Sequence, residues 1–336
     1  MIKFGVIGTN WITEKLVLAG KELEDFQLAA VYSRTRDKGE KFAEKFGAEH
    51  IFTDLEAMAK SEMIDAVYIA SPNSLHSGQA ELFLRNGKHV LCEKPAASNT
   101  AELKRMIEAA KEHNVLFMEA VKTTFYPNFQ QIREHLPRIG KVRQYFAHYC
   151  QYDSRYEDYK EGRQANAFDP KLSNGALMDV GVYAIYPMLV LFGKPESLKA
   201  SGYLLETGSD ASGSIVFTYD DMDAAVLFSK ITDSSLPAEI QGEKGSIKID
   251  RISAMDVVEL HLRNQEPEII SAAQNNNSLF YELQEFIRLV KAGETESDIN
   301  TFQNSLLVME LLDEARKQMG VVYPADIKRN APDVEH

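Results

Sequence analysis

A glycine-bearing turn, Gly8-Thr9-Asn10-Trp11-Ile12, follows a short apolar run and precedes a helical pattern. In that setting backbone N–H groups and the positive end of the helix dipole can hold a pyrophosphate. Read as G-x-G-x-x-G from Gly8, the turn carries Asn10 at the second glycine position and Thr13 at the third. On its own it therefore fits a plain strand-to-helix turn as well as it fits a dinucleotide site. Asn tolerates left-handed backbone, so the turn can survive, but its side chain is expected to narrow the approach to phosphate. Roughly 20 residues on, where such a fold reads the ribose, stand Ser33 and Arg34 with Lys38 beyond and no carboxylate among them. Those groups can hydrogen-bond and neutralise a 2'-phosphate, which an Asp or Glu would repel. The pattern favours NADP, with NAD possible. The competing reading is a solvated helix start in which Asp37 offsets the charge.

Two further polar turns follow apolar runs: Ser71-Pro72-Asn73-Ser74-Leu75-His76 and Glu93-Lys94-Pro95. Open α/β sheets place their ligands at the carboxyl ends of strands, where both turns fall. His76 can line such a cleft, and a hydrogen-bonded structural histidine fits the pattern equally well.

The elements that must position these residues follow from the hydrophobic pattern. Over residues 1–120, short runs that are apolar throughout alternate with helical periodicity, which predicts a parallel sheet covered on both faces, a doubly wound Rossmann domain. The strands are expected at 2–7, 26–32, 51–52, 66–70, 89–92 and 115–118. Beyond 120 the rhythm changes. A helix at 128–136, a strand at 142–149 and a Tyr-rich polar stretch to Gln164 lead to a helix starting near Gly175. Strand patterns with turn signals then run from 198 to 270. Helices at 279–291 and 301–319 close the chain, giving a second, α+β domain over 121–336 with a large, mainly antiparallel open sheet.

The turns at Pro72-Asn73-x-x-His76 and Glu93-Lys94-Pro95, together with this two-domain plan, resemble the glucose-fructose oxidoreductase / inositol dehydrogenase (Gfo/Idh/MocA) family. Gly175-Ala176-Leu177-Met178-Asp179-Val180-Gly181-Val182-Tyr183 resembles that family's catalytic helix, and Tyr323-Pro324 is similar too. The final Tyr, with Met118-Glu119-Ala120, most resembles the branch of dimeric dihydrodiol dehydrogenases and xylose-type sugar dehydrogenases. The sequence departs at Ser173-Asn174-Gly175, where the family often has three glycines, and near Lys122 and Thr124, where this branch often has an aromatic and an Arg.

The resemblance implies an NADP(H)-dependent oxidoreductase that moves a hydride between nicotinamide and a hydroxyl or carbonyl of a sugar, polyol or diol. Lys94, Tyr183 and Asp179 are the implied catalytic residues. Reducing a carbonyl puts negative charge on oxygen, for which Lys94 supplies a cation and Tyr183 a proton. An adjacent ammonium would bring a tyrosine down from its ordinary pKa of about 10. Asp179, about one turn from Tyr183, is expected to pair with Lys94 or to orient a substrate hydroxyl. The cofactor is expected to meet Gly8, Thr9, Asn10, Trp11, Ile12, Ser33, Arg34, Lys38, Ser71, Pro72, Asn73, His76, Glu93 and Lys94. The family's tight turn also implies a cis bond before Pro95. Two alternatives share the fold, a non-catalytic cofactor-binding regulator and an NAD-dependent glycosidase.

Composition narrows the partners. With 37 basic and 50 acidic residues the net charge is -13, a field that repels nucleic acid and anionic membrane surfaces. The start reads directly into a strand rather than a signal peptide, and no apolar stretch approaches the ~20 residues of a membrane span. Two cysteines and no H-E-x-x-H spacing argue against disulfides and metal. A cytoplasmic protein is expected. An antiparallel sheet whose outer face would expose Val216, Phe217 and Phe228 predicts a homodimer or a dimer of dimers through that face.

Overall fold

The computed structural model describes residues 1–163 and 165–328; Gln164 and the last eight residues assigned to the second domain lie outside them. Two compact units emerge from the contacts, one built from residues 1–122 and 275–303, the other from 123–274 and 304 onward.

The first unit carries a six-stranded sheet, β1 (Ile2–Ile7), β2 (Phe26–Tyr32), β3 (His50–Phe52), β4 (Ala66–Ile69), β5 (His89–Glu93) and β6 (Phe117–Ala120). Its order is β3-β2-β1-β4-β5-β6 and every pairing is parallel. All four residues of β4 are buried, as are five of the six in β1, which is why the strands read as unbroken apolar runs. Helices α1 (Trp11–Gly20), α2 (Arg36–Phe46), α3 (Leu55–Lys60), α4 (Asn73–Arg85) and α5 (Thr100–His113) connect them. The last strand starts two residues later than its apolar pattern suggests. Asn114 turns left-handed to close α5, and the Val115 N–H is spent on the Ala110 carbonyl.

A boundary drawn after residue 120 leaves the helix Phe280–Ala292 with the second domain, but the contacts put it in the first unit. Its buried Phe286 lies 5.7 Å, ring to ring, from Phe4 of β1. Asn300 then donates to the Glu119 and Val121 carbonyls at the end of β6. Helical periodicity shows that a face is buried; it does not say against which sheet.

The second unit is an eight-stranded sheet of β7 (Val142–Cys150), β8 (Ser197–Leu204), β9 (Asp210–Thr218), β10 (Asp223–Ser229), β11 (Ala238–Gly242), β12 (Gly245–Ile249), β13 (Val258–Leu262) and β14 (Glu268–Ile269). The order is β14-β13-β12-β11-β7-β10-β9-β8, antiparallel except for β7 beside β10. Strand β7 thus lies inside the sheet, and its Tyr145 is buried with the hydroxyl on the Ala184 carbonyl. Phe217 and Phe228 also face inward, against the expectation that they are exposed. The outer face carries Val216, 49 % exposed, and Leu227. Register decides this, because β10 is apolar on both faces and its alternation alone does not orient it.

Candidate active site

In the first unit the turn after β1 is built by two residues. Gly8 has φ +103°, and a Cβ there would come within 2.8 Å of the Ala70 carbonyl oxygen, so only glycine fits. Asn10 is extended (φ -91°, ψ 176°) rather than left-handed and caps α1. Its Oδ1 accepts from the Thr13 N–H (3.2 Å) and hydroxyl (3.1 Å), and its Nδ2 donates to the Ala70 carbonyl at 2.9 Å. The side chain is drawn onto the end of β4 and satisfies an N–H that the helix start leaves orphaned. Thr9 and Ile12 are half-buried, and Trp11 is 72 % exposed. A bare glycine, a capped helix start and backbone N–H groups fit a dinucleotide pyrophosphate.

Beyond β2, Ser33 is buried while Arg34 and Lys38 are exposed. Arg36 is taken by Glu40 in an ion pair at 2.9 Å. Arg34 and Lys38 make no such pair among the described residues, and the local positive charge remains uncommitted.

At the end of β4, Ser71 bonds Gln79 at 2.7 Å, and Pro72 precedes the first helical residue, Asn73. His76 is fully buried. Its Nδ1 lies 3.0 Å from the Pro95 carbonyl and its Nε2 2.8 Å from the Ser71 carbonyl, which makes it a tie between two strand ends. Burial holds its pKa below the ordinary histidine range, against the pull of the two carbonyls, and Lys94 adds to the lowering. Glu93 accepts from the Tyr68 hydroxyl at 2.5 Å, and burial pushes its carboxyl up. The Lys94–Pro95 bond is cis, and the next residue, Ala96, donates its N–H to Glu119 Oε1 at 2.9 Å.

Asp179 and Tyr183 belong to the second unit. A π-helical turn, Leu177–Gly181, opens the helix Val182–Phe192; such turns widen the spacing of side chains and recur at functional sites. The start is held by Asp210, whose Oδ2 accepts the Leu177 N–H at 2.6 Å. A Cβ at Gly175 would run into Asp210 Oδ1, which explains the glycine. Burial pushes the Asp210 carboxyl up to about 6. Tyr323, fully buried, reaches the Asn174 carbonyl and stacks with Arg316 at 4.3 Å. Asp179 accepts from Lys230 Nζ at 2.5 Å. The half-buried Tyr183 ring lies 5.7 Å from that of Tyr149.

Residues 2–121 match the model of an oxidoreductase family with an NAD-binding Rossmann fold, and residues 129–248 match the GFO/IDH/MocA C-terminal domain. The chain belongs to the GFO/IDH/MocA oxidoreductase family. It is 52% identical over 326 residues to scyllo-inositol 2-dehydrogenase (NADP(+)) of Bacillus subtilis (strain 168), covering 97% of this chain and 99% of that one. It is 32% identical to trans-1,2-dihydrobenzene-1,2-diol dehydrogenase of Xenopus tropicalis, over 96% of this chain and 99% of the relative. Among solved structures, a 3-ketoreductase from Actinomadura kijaniata with bound NADP shares the fold at a TM-score of 0.83 and 24% identity, over 95% and 98% of the two chains.

Three residues that support the helix carrying Asp179 have no pattern in the sequence. Asp210 caps the π-helical turn, Lys230 pairs with Asp179, and Asp153 pairs with the same ammonium; Glu119, inside the Met118-Glu119-Ala120 run already singled out, anchors the turn after Lys94. Asn10 is different: an Asn just before a helical run is a capping signal.

Proposed function

We propose that this oxidoreductase uses NADP(H) and oxidises a ring hydroxyl of a cyclic polyol, with scyllo-inositol the first candidate. The observation that carries the cofactor is the buried Ser33 beside Arg34 and Lys38, exposed cations with no ion pair among the described residues. A 2'-phosphate supplies the charge they lack. The substrate class rests on the identity to the Bacillus subtilis enzyme over nearly the whole chain.

Gly8, Thr9, Asn10, Trp11 and Ile12 would hold the pyrophosphate, with Ser71, Pro72, Asn73 and Glu93 near the remainder, while His76 braces the turn from beneath. Bound NADP+ supplies the hydride acceptor. The chain's own task is the proton and the charge. Tyr183 as the phenolate takes the hydroxyl proton during oxidation, becoming the phenol that returns it during reduction, and Lys94 stabilises charge on the oxygen. Asp179 accepts from a neighbouring hydroxyl and orients the ring. A cytoplasmic homodimer or dimer of dimers, joined through the outer face that carries Val216 and Leu227, completes the reading.

Steady-state oxidation of scyllo-inositol with each cofactor tests it. NADP+ should be preferred, and Arg34→Ala should weaken NADP(H) binding by about 1.5–3 kcal/mol while leaving NAD(H) almost unchanged. Equal use of NAD+ by the unaltered protein would sink the cofactor assignment.

A further inference from the structure

Lys230 follows the last residue of β10 and is only 3 % exposed, an unusual place for a long charged side chain. Its backbone is fixed at both ends: its N–H bonds the Ala211 carbonyl and its own carbonyl accepts the Asp153 N–H, each at 2.9 Å. The ammonium sits 2.5 Å from Asp179 Oδ2, 3.3 Å from Asp153 Oδ2, and 5.3 Å from the centre of the Phe168 ring. Asp153 already has a cation of its own. Arg155 grips both of its oxygens, at 2.8 and 2.6 Å, and its backbone N–H adds a third bond. Lys230 is therefore surplus to the neutralisation of Asp153, and its charge falls to Asp179.

Asp179 itself is more open, with its side chain 36 % exposed against 12 % for Asp153. It stands on a π-helical turn, a feature that recurs at functional sites. We propose that Lys230 is the positioning residue for Asp179: the buried ammonium commits one carboxylate oxygen and one rotamer, so that a polyol hydroxyl meets an acceptor already in place. This rests on the reading of Asp179 as a substrate-orienting residue. The gain is preorganisation, since a misplacement of about 1 Å in such a group can cost 100-fold in rate.

The test is a double-mutant cycle on the full-length protein, assayed with NADP+ and scyllo-inositol: Asp179→Asn, Lys230→Met and the two together. Each single change should raise KM and lower kcat/KM by roughly tenfold or more, the worth of a charge-assisted bond. The double variant should be no worse than the poorer single one, because both remove the same function. NADPH binding, followed by fluorescence, should be unchanged and reports folding. Losing one member of a buried pair can unfold a protein; if Lys230→Met fails that check, Lys230→Arg takes its place. That variant keeps the charge but moves it, and should lower kcat/KM in the Asp179 background and not in Asp179→Asn. Wild-type kcat/KM in the folded Lys230 variant, or losses that multiply in the double variant, would overturn the positioning role. A silent Asp179→Asn or a wild type inactive on every cyclic polyol overturns the functional reading beneath it.

Discussion

The turn that carries Lys94 and the helix that carries Asp179 and Tyr183 are braced by opposite chemistry. Beneath Lys94 sits His76, a base buried between two carbonyls; beneath the helix start sits Asp210, an acid buried against a backbone N–H. Burial drives each toward its neutral form, so the histidine pKa is lowered and the carboxyl is raised to about 6. The two braces therefore answer pH in opposite directions. Above the ordinary histidine pKa of about 6.5 the first is at full strength, and acid removes it because the unfolded chain binds a proton that the folded one refuses. The second is strongest in acid, and is lost as pH rises through about 6, because the folded state holds a proton that the unfolded one has released.

The largest expected effect separates the two regions by function. Tyr183→Phe keeps the ring against Tyr149 and removes only the hydroxyl, so turnover should fall on the order of 100- to 10,000-fold with folding intact. NADPH affinity, which belongs to the first unit, should stay within about twofold. Stopped-flow turnover and fluorescence titration on the same sample decide it, and a Tyr183→Phe variant at wild-type turnover removes the tyrosine from the chemistry.

Next in size is the brace under the helix. Asp210→Asn keeps an oxygen for the Leu177 N–H and deletes the titration. Relative to wild type its stability should improve between pH 4 and pH 7, by about 2–3 kcal/mol for a carboxyl displaced from about 3.9 to about 6. Urea unfolding of both proteins across that range, followed by a probe in the second unit, checks the sign. A difference that is flat with pH, or that favours wild type as pH rises, breaks the opposition.

What was legible in the sequence follows the same physics. The parallel sheet could be read because strands buried on both faces are apolar throughout, and Ser33-Arg34 could be read because a missing carboxylate is a local fact. Lys94, Asp179 and Tyr183 are legible by order and motif, and so are His76 and Glu119 beside the Lys94 turn. Lys230 and Asp210 were invisible, since a charged residue looks solvated until the fold buries it. The return of 275–303 to the first unit was hidden for a related reason: Phe286 announces a buried face, and only Phe4 names its partner. The face that Phe217 and Phe228 take is not legible, because apolar residues at adjacent positions of these strands leave the register open.

The smallest effect concerns the brace under Lys94. A neutral imidazole has one N–H, yet His76 faces two carbonyl oxygens, those of Pro95 and Ser71, so at neutral pH one of the two contacts lacks a proton. His76→Gln fills much of the same space, but its flexible amide does not hold the ring's geometry against either carbonyl, and it should cost about 1–1.5 kcal/mol, the worth of one hydrogen bond, at pH 7. Because glutamine does not titrate, that deficit should shrink as the pH falls toward 5, where wild type loses the benefit of its neutral ring. Hydrogen exchange at residues 89–96, corrected for intrinsic rates, reads the local effect without unfolding the second unit. Protection there should fall with acid in wild type and stay level in the variant. Wild-type protection that instead rises toward pH 5 would mean the two carbonyls outweigh burial and the ring is charged in the fold, which would give both braces the same sign.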